Sequence, residues 1–185
     1  MKNIVFILLL LILSSCGSTS NMRTPNKSAN LPNLSNYNHV IVNDFSDGAS
    51  KSFDDPNIIS EGKRFADITA SSIKSKNLFH KVERNVESTD SALLIDGQIT
   101  KYDDGNPFMR IMLGFGAGSS KFNAKVNIRD NATKEHLGVI DVNKMSWLLG
   151  GVIAGSQDTK SHMNSAASKI ADEFVAAKKR KPKVI

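Results

Sequence analysis

Apolar and polar side chains alternate most cleanly from Lys121 to Arg129, where Phe122, Ala124, Val126 and Ile128 are interleaved with Asn123, Lys125, Asn127 and Arg129. A strand with one buried and one wet face produces that pattern. Ala92 to Tyr102 repeats it, with Leu93, Ile95, Gly97 and Ile99 set against Asp96, Gln98 and Thr100. Asp130 to Lys134 supplies a turn, and Leu137 to Met145 returns as the antiparallel partner. Val139 and Ile140 are adjacent and break the alternation, which predicts a bulge there. Two shorter β segments precede these: Asn38 to Phe45, built around Val40-Ile41-Val42, and Phe79 to Arg84.

The period changes to helical in two places. Ile58, Gly62, Phe65, Ile68, Thr69, Ser72 and Ile73 form one stripe, opened by Asp55 as cap with Pro56 at the first position and closed by Asn77 as a left-handed stop. Gly62 lies on the inner stripe, where a missing side chain permits close approach to a sheet. Met163, Ala166, Ala167, Ile170, Ala171, Phe174 and Val175 make the second stripe, with Asp158 or Ser161 as cap. Strand, helix, four strands and helix predict an α+β fold: a two-layer sandwich of a mostly antiparallel sheet of about five strands, with two amphipathic helices on one face.

The amino terminus carries a different signal. Ile4 to Leu13 is an apolar run of ten residues after Lys2, about half of what crosses a bilayer, and reads as a signal peptide. Leu13-Ser14-Ser15-Cys16 follows and contains the single cysteine of the chain. This resembles the lipobox of bacterial lipoprotein precursors. The resemblance implies a diacylglyceryl group on the Cys16 sulfur, cleavage just before it and acylation of the new amino terminus. The chain then divides into a signal peptide (1–15), a lipid-anchored flexible linker (16–36), one domain (37–177) and a basic disordered tail (178–185). Gly17 to Asn36 is rich in Ser, Asn, Thr and Pro, a composition that buries little, and a flexible chain of that length spans about 25 Å. Gly17 after the lipidated residue points to the outer membrane, facing the periplasm, under the common enterobacterial sorting pattern.

Charge adds little once it is placed. The formal net charge is +6, yet without Lys2 and the five basic residues between Lys178 and Lys183 the chain has 18 basic and 18 acidic residues. A neutral body removes the electrostatic case for nucleic acid. The tail reads as a solvated end, with contact to anionic headgroups as its second reading.

Two glycine-rich apolar stretches interrupt the domain, Asp103 to Ser120 and Trp147 to Gly155. Gly114, Gly116 and Gly118 do not make a dinucleotide or phosphate loop, because Ser119 breaks the spacing and a strand follows. One reading is a short helix capped by Asn106, with Arg110 paired to Asp103 or Asp104. The other is a docking surface for a second copy, a protein partner or the bilayer. The candidate interaction residues are Asn106, Arg110, Gly114, Phe115, Gly116, Gly118, Trp147, Gly150 and Gly151. A membrane hairpin is disfavoured, since neither stretch supplies two spanning strands.

Gly97 to Tyr102, Gly105-Asn106, Arg110, Gly114-Phe115-Gly116-Ala117-Gly118 and Val126 to Asp130 resemble the core pattern of a bacterial lipoprotein family, domain of unknown function 4410. Where that family commonly has Thr-Gly, this chain has Thr133-Lys134. The resemblance implies envelope localisation and the α+β domain and brings no catalytic residues. More distantly, the layout looks like the periplasmic domain of curli-secretion lipoproteins, which build a pore, an analogy of fold alone.

No catalytic constellation emerges. His39, His80, His136 and His162 are scattered and read as surface or strand-end residues, with no thiol to share a metal. Ser60 to Lys63 and Ser71 to Lys74 match S-x-x-K by letter but lie on the first helix without companion motifs. The expectation is a non-enzymatic envelope lipoprotein without cofactor or metal, anchored to a membrane and partnered by another copy or an envelope protein. A pore or secretion subunit and a hydrolase with an unrecognised site are the alternatives.

Overall fold

The alternating segments pair into one six-stranded sheet. The computed structural model describes residues 19–23, 33–50, 54–106, 108, 118–145 and 158–179. Its elements are β1 (Thr19–Arg23), β2 (His39–Asp47), α1 (Pro56–Ser75), β3 (Lys81–Arg84), β4 (Leu93–Asp103), β5 (Lys121–Asp130), β6 (His136–Met145) and α2 (Thr159–Lys178). The strand order is β1-β6-β5-β4-β2-β3. The fold is α+β, as the periodicities predict, but the sheet is mixed. β4, β5, β6 and β1 run antiparallel in turn, whereas β2 is parallel to both β3 and β4. The reason is connectivity: α1 carries the chain from the end of β2 back to the start of β3, and such a crossover makes parallel neighbours.

Helix α1 starts where its cap predicts, with the Asp55 carboxylate accepting from the Asn57 backbone at 2.8 Å. Asn77 stands just past its end at φ 53°. Asp158 caps α2 by accepting from the Ser161 backbone at 2.7 Å. Both helices contribute to a single apolar cluster with Val42, Ile95, Val126, Ile128 and Ile140 of the sheet. At its centre Phe65 of α1 packs at an inclined angle between Phe45 (ring centroids 4.9 Å apart) and Phe122 (4.8 Å).

Phe45 reaches that place through an irregularity in β2. Val42 pairs with Ile95 and Phe45 with Gly97, so two residues, Asn43 and Asp44, stand against Asp96 alone. The extra residue turns Phe45 onto the core face. Glycines make room on both sides of it. A β-carbon on Gly97 would lie 2.8 Å from the Phe45 ring, and one on Gly62 would lie 2.0 Å from the Phe45 carbonyl oxygen.

Three expectations are corrected. Thr19–Arg23, inside the stretch that composition assigns to a flexible linker, is strand β1 along β6, with Met22 opposite Ile140 and buried. Leu34, also in that stretch, is fully buried. An edge strand takes its backbone bonds from its neighbour, so its own composition need not announce it. Second, the irregularity between β5 and β6 is at Leu137, because Ile128 pairs with Gly138 and Arg129 with His136. Val139 and Ile140 keep regular register. The turn sets this: the Asp130 carboxylate accepts from Thr133 N–H at 2.7 Å, and Lys134 adopts φ 61°. Third, the basic tail begins later than expected. Lys178 belongs to α2, and its ammonium donates to Ser35 O (3.0 Å), Tyr37 O and Asn38 Oδ1 (3.2 Å) above the Phe79 ring. Burial lowers its pKa. Beside it the Tyr37 hydroxyl donates to Asp130 Oδ2 at 2.6 Å.

Three outcomes are expected in urea unfolding of the domain. Gly62→Ala destabilises by about 1–3 kcal/mol, since the displaced neighbour is backbone and the clash outweighs the helix propensity gained. An unchanged midpoint would mean that α1 does not need this approach. Lys134→Gly stabilises by about 0.5–1 kcal/mol, because glycine adopts φ 61° without steric cost. Tyr37→Phe costs about 1–2 kcal/mol at neutral pH. Hydrogen bonds, first that from Tyr37, lower the Asp130 pKa from its ordinary 3.8. A carboxylate with a depressed folded pKa contributes stability above its unfolded pKa and loses it as pH falls through the folded one. The deficit of Tyr37→Phe therefore narrows below about pH 4; a deficit constant down to pH 2 contradicts this pairing.

Candidate functional site

The strand register gathers four chain positions at one end of the sheet. Asp103 at the end of β4 is opposite Lys121 at the start of β5, and Lys121 is opposite Met145 at the end of β6. Thr19 at the start of β1 is opposite Asn143. The first glycine-rich stretch therefore leaves and re-enters the sheet at this end, the second leaves it here on the way to α2, and the chain enters β1 from it.

The first stretch has a tight neck. Gly105 N–H donates to Asp103 Oδ1 at 2.9 Å, and Asn106 N–H donates to the Gly118 carbonyl at 2.9 Å. Gly105 and Gly118 adopt φ 63° and 67°, and a β-carbon on Gly105 would fall 2.2 Å from the Gly118 oxygen. Only glycine fits that crossing. Beyond the neck, the described Phe108 is 67% exposed. Behind the neck, Thr159 Oγ1 donates to the Asp103 carbonyl at 3.2 Å, tying the first turn of α2 to the end of β4. Burial, with the charges of Glu61 and Asp104 adding to it, pushes the Tyr102 phenol up to about 12.

Of the sequence-derived candidates, Asn106 and Gly118 meet in this neck. Cys16, Arg110, Gly114, Phe115, Gly116, Trp147, Gly150 and Gly151 lie outside the described residues. Asp103 takes a backbone N–H from the turn, as ordinary turn chemistry predicts.

The histidines correct one expectation. His39, at the start of β2, lies 2.9 Å from Glu83, and His80 and His136 are exposed at strand starts. His162 is buried instead, with its Nε2 3.0 Å from Ser120 Oγ. Its position on the inner side of the first turn of α2 decides this, since Met163, Ala166 and Ala167 pack on the core beside it. The pair has the spacing of a nucleophile and base, but Ser120 is 0% exposed. It joins the start of β5 to α2. Both S-x-x-K matches have their Ser and Lys exposed on α1. Among the described residues no group of three or more His, Cys, Asp or Glu could hold a metal ion, and no helix is long and apolar enough to cross a membrane.

A second feature lies on the polar side of the sheet. Asn43, Asp44, Ser46, Asp96, Asn127 and Arg129 line an open cleft of about 330 Å³. Arg129 pairs with Asp96 at 3.2 Å, and Asn127 donates to Asp96 at 3.0 Å. Period-two spacing puts these residues on one face; that Asn127 is directly opposite Asp96 and Arg129 diagonal to it follows from the register, which the sequence does not display. Arg84 braces the rim, reaching Asp44 at 2.5 Å, Asp67 at 2.8 Å and the Val42 carbonyl. Burial raises the Asp44 pKa, but hydrogen bonds from Asn85 and Arg84 outweigh it and hold the carboxyl below its usual range. Away from the cleft, hydrogen bonds from Ser50 and the Asp55 backbone keep Asp47 ionised and tie the end of β2 to the residue that caps α1.

The fold has solved relatives. One PelC dodecamer from Paraburkholderia phytofirmans is 11% identical, with a TM-score of 0.59 over 84% of this chain and 96% of that one. A point-substituted PelC dodecamer from the same organism gives 13% identity and a TM-score of 0.55 over 85% and 96%. At such identities the likeness is one of fold. A putative neuraminyllactose-binding hemagglutinin homolog from Helicobacter pylori matches at 15% identity over 87% and 90%, with a TM-score of 0.40 too low to carry an argument. No curated protein matches the chain. The family model described as Domain of unknown function (DUF4410) matches residues 32–150, well over half of the sequence, and the chain belongs to that family.

Proposed function

We propose that this protein is a non-enzymatic lipoprotein of the bacterial cell envelope, held by lipid on Cys16 at the periplasmic face of the outer membrane, that assembles with further copies of itself. Its working unit is a two-layer α+β sandwich, with the helices behind the sheet and the polar face in front. The observation that carries this reading is the gathering of both glycine-rich stretches and the entry to β1 at one end of the sheet. The lipobox-like run before Cys16 supplies the address, and two or three acyl chains hold stably where one is marginal. Self-assembly draws on the dodecameric state of the PelC structures that share the fold. A pore or secretion subunit is the second reading, favoured by the same dodecamers. A hydrolase rests on the Ser120–His162 pair alone, and full burial of Ser120 weighs against it.

Mass spectrometry of the protein from cell envelopes is expected to find the chain starting at an acylated Cys16. Cys16→Ala should abolish acylation and leave the precursor uncut. Native mass of the detergent-extracted protein should be a multiple of the protomer, and the Cys16→Ala domain should stay soluble without detergent. Full-length unacylated protein in the cytosol would refute the anchor; a monomer at every concentration would refute self-assembly. A domain that needs detergent without its anchor favours the pore reading.

A further inference from the structure

We propose that the open cleft on the polar face of the sheet binds an uncharged polyhydroxyl ligand, a saccharide unit, through the side chains of Asn43, Asp96, Gln98, Asn127 and Arg129. All of these are described residues, and the site is independent of both the lipid anchor and self-assembly.

Charge selects against ionic ligands. The lining has two carboxylates, Asp44 and Asp96, and one guanidinium, Arg129. Arg129 neutralises Asp96 at 3.2 Å, and Arg84 reaches in from the rim to neutralise Asp44 at 2.5 Å. Two positive and two negative groups in contact leave no net charge to attract an ion. A charged ligand would lose hydration there without a free counter-charge to replace it.

Hydrogen bonding then decides what a neutral ligand must offer. Asp96 accepts from Asn127 at 3.0 Å through one oxygen and pairs with Arg129 through the other, which holds the three planar groups side by side. Asp44 takes both Arg84 and Asn85 on Oδ1, and an ionised carboxylate has room for about four such bonds. Arg129 Nε is buried with no partner among the described residues, a costly state that calls for an oxygen from outside the chain. No hydrogen bond among the described residues ties up the side-chain amides of Asn43 and Gln98. The cleft thus offers spare donors and spare acceptors together. A hydroxyl is both in one atom, and neighbouring ring hydroxyls present pairs of such atoms to planar carboxylate, amide and guanidinium groups.

A peptide is the competing neutral ligand, and the backbone around the cleft does not suit it. Peptides add to sheets at open edges, whereas β4 lies between β2 and β5 and is paired on both sides at Gly97 and Gln98. At the bulge the Asp44 N–H donates to Asn85 Oδ1 at 3.0 Å, and the Val42 carbonyl accepts from Arg84 and Asn85. Only side chains remain for recognition. None of those lining the cleft is a large apolar group that could receive a peptide side chain. None is aromatic either, so no ring stacking adds to the affinity, which is expected at about a millimolar.

The test is a saturation-transfer NMR titration of the full-length protein, kept in a detergent without sugar headgroups. The probes are cellotetraose, maltotetraose and mannotetraose, the charged sugars tetragalacturonate and tetraglucosamine, and acetyl-tetraglycine amide as the peptide. Saturable binding of at least one neutral tetrasaccharide is expected, about tenfold or more tighter than either charged sugar or the peptide. Asn43→Ala combined with Gln98→Ala deletes two ligand-binding groups and no hydrogen bond among the described residues. It should weaken that binding about tenfold while the urea midpoint stays unchanged. Asp96→Asn keeps an oxygen for Asn127 but frees the Arg129 charge, and should raise the affinity for tetragalacturonate about tenfold. Failure of all three neutral sugars overturns the proposal. Tighter binding of a charged sugar or of the peptide also overturns it and reassigns the cleft to that chemistry. Neutral binding that survives the double substitution, or an affinity for the anion untouched by Asp96→Asn, puts the site elsewhere and overturns it.

Discussion

Phe45 occupies a place that two other residues leave empty. Gly62 lets α1 press against its backbone and Gly97 lets its ring lie on β4. A side chain at either would push helix from sheet, since interiors are packed too densely to absorb a methyl group against backbone. The line Phe45, Phe65, Phe122 then joins β2, α1 and β5 through edge-inclined rings. The position of α1, and with it the parallel placement of β3, depends on this contact.

The same irregularity shapes the other side of the sheet. By turning Phe45 inward, the extra residue in β2 leaves Asn43, Asp44 and Ser46 along the cleft that Asp96, Asn127 and Arg129 complete. One local departure from alternation thus places the central aromatic and contributes three of the eight residues that line the cleft. Arg84 holds the bulged segment by bonding the Val42 carbonyl and Asp44 together.

The two ends of the sheet differ in kind. At the far end, polar side chains bind backbone: Lys178 closes on residues 35–38, and Asp130 takes Tyr37 and its own turn. At the near end, backbone crosses backbone at Gly105 and Gly118, and the chain beyond is apolar. A cationic clasp at one end and a glycine neck at the other give the domain a direction.

The sequence by itself determined every element except β1, because local chemistry declares them: period two in β4 and β5, period 3.6 in both helices, caps at Asp55 and Asp158, a left-handed stop at Asn77 and the close approach at Gly62. It also determined the family, through glycine and arginine spacing that needs no third dimension to be recognised. Tertiary structure alone decided the rest. Strand β1 is polar and takes its pairing from β6; Lys178 looks like part of a solvated charge run until the carbonyls of Ser35 and Tyr37 arrive from 141 to 143 residues away. His162 reads as a surface residue until the first turn of α2 lands on β5. In each case the deciding partner is distant in sequence, and register and helix docking, which bring such partners together, are properties of the whole sheet.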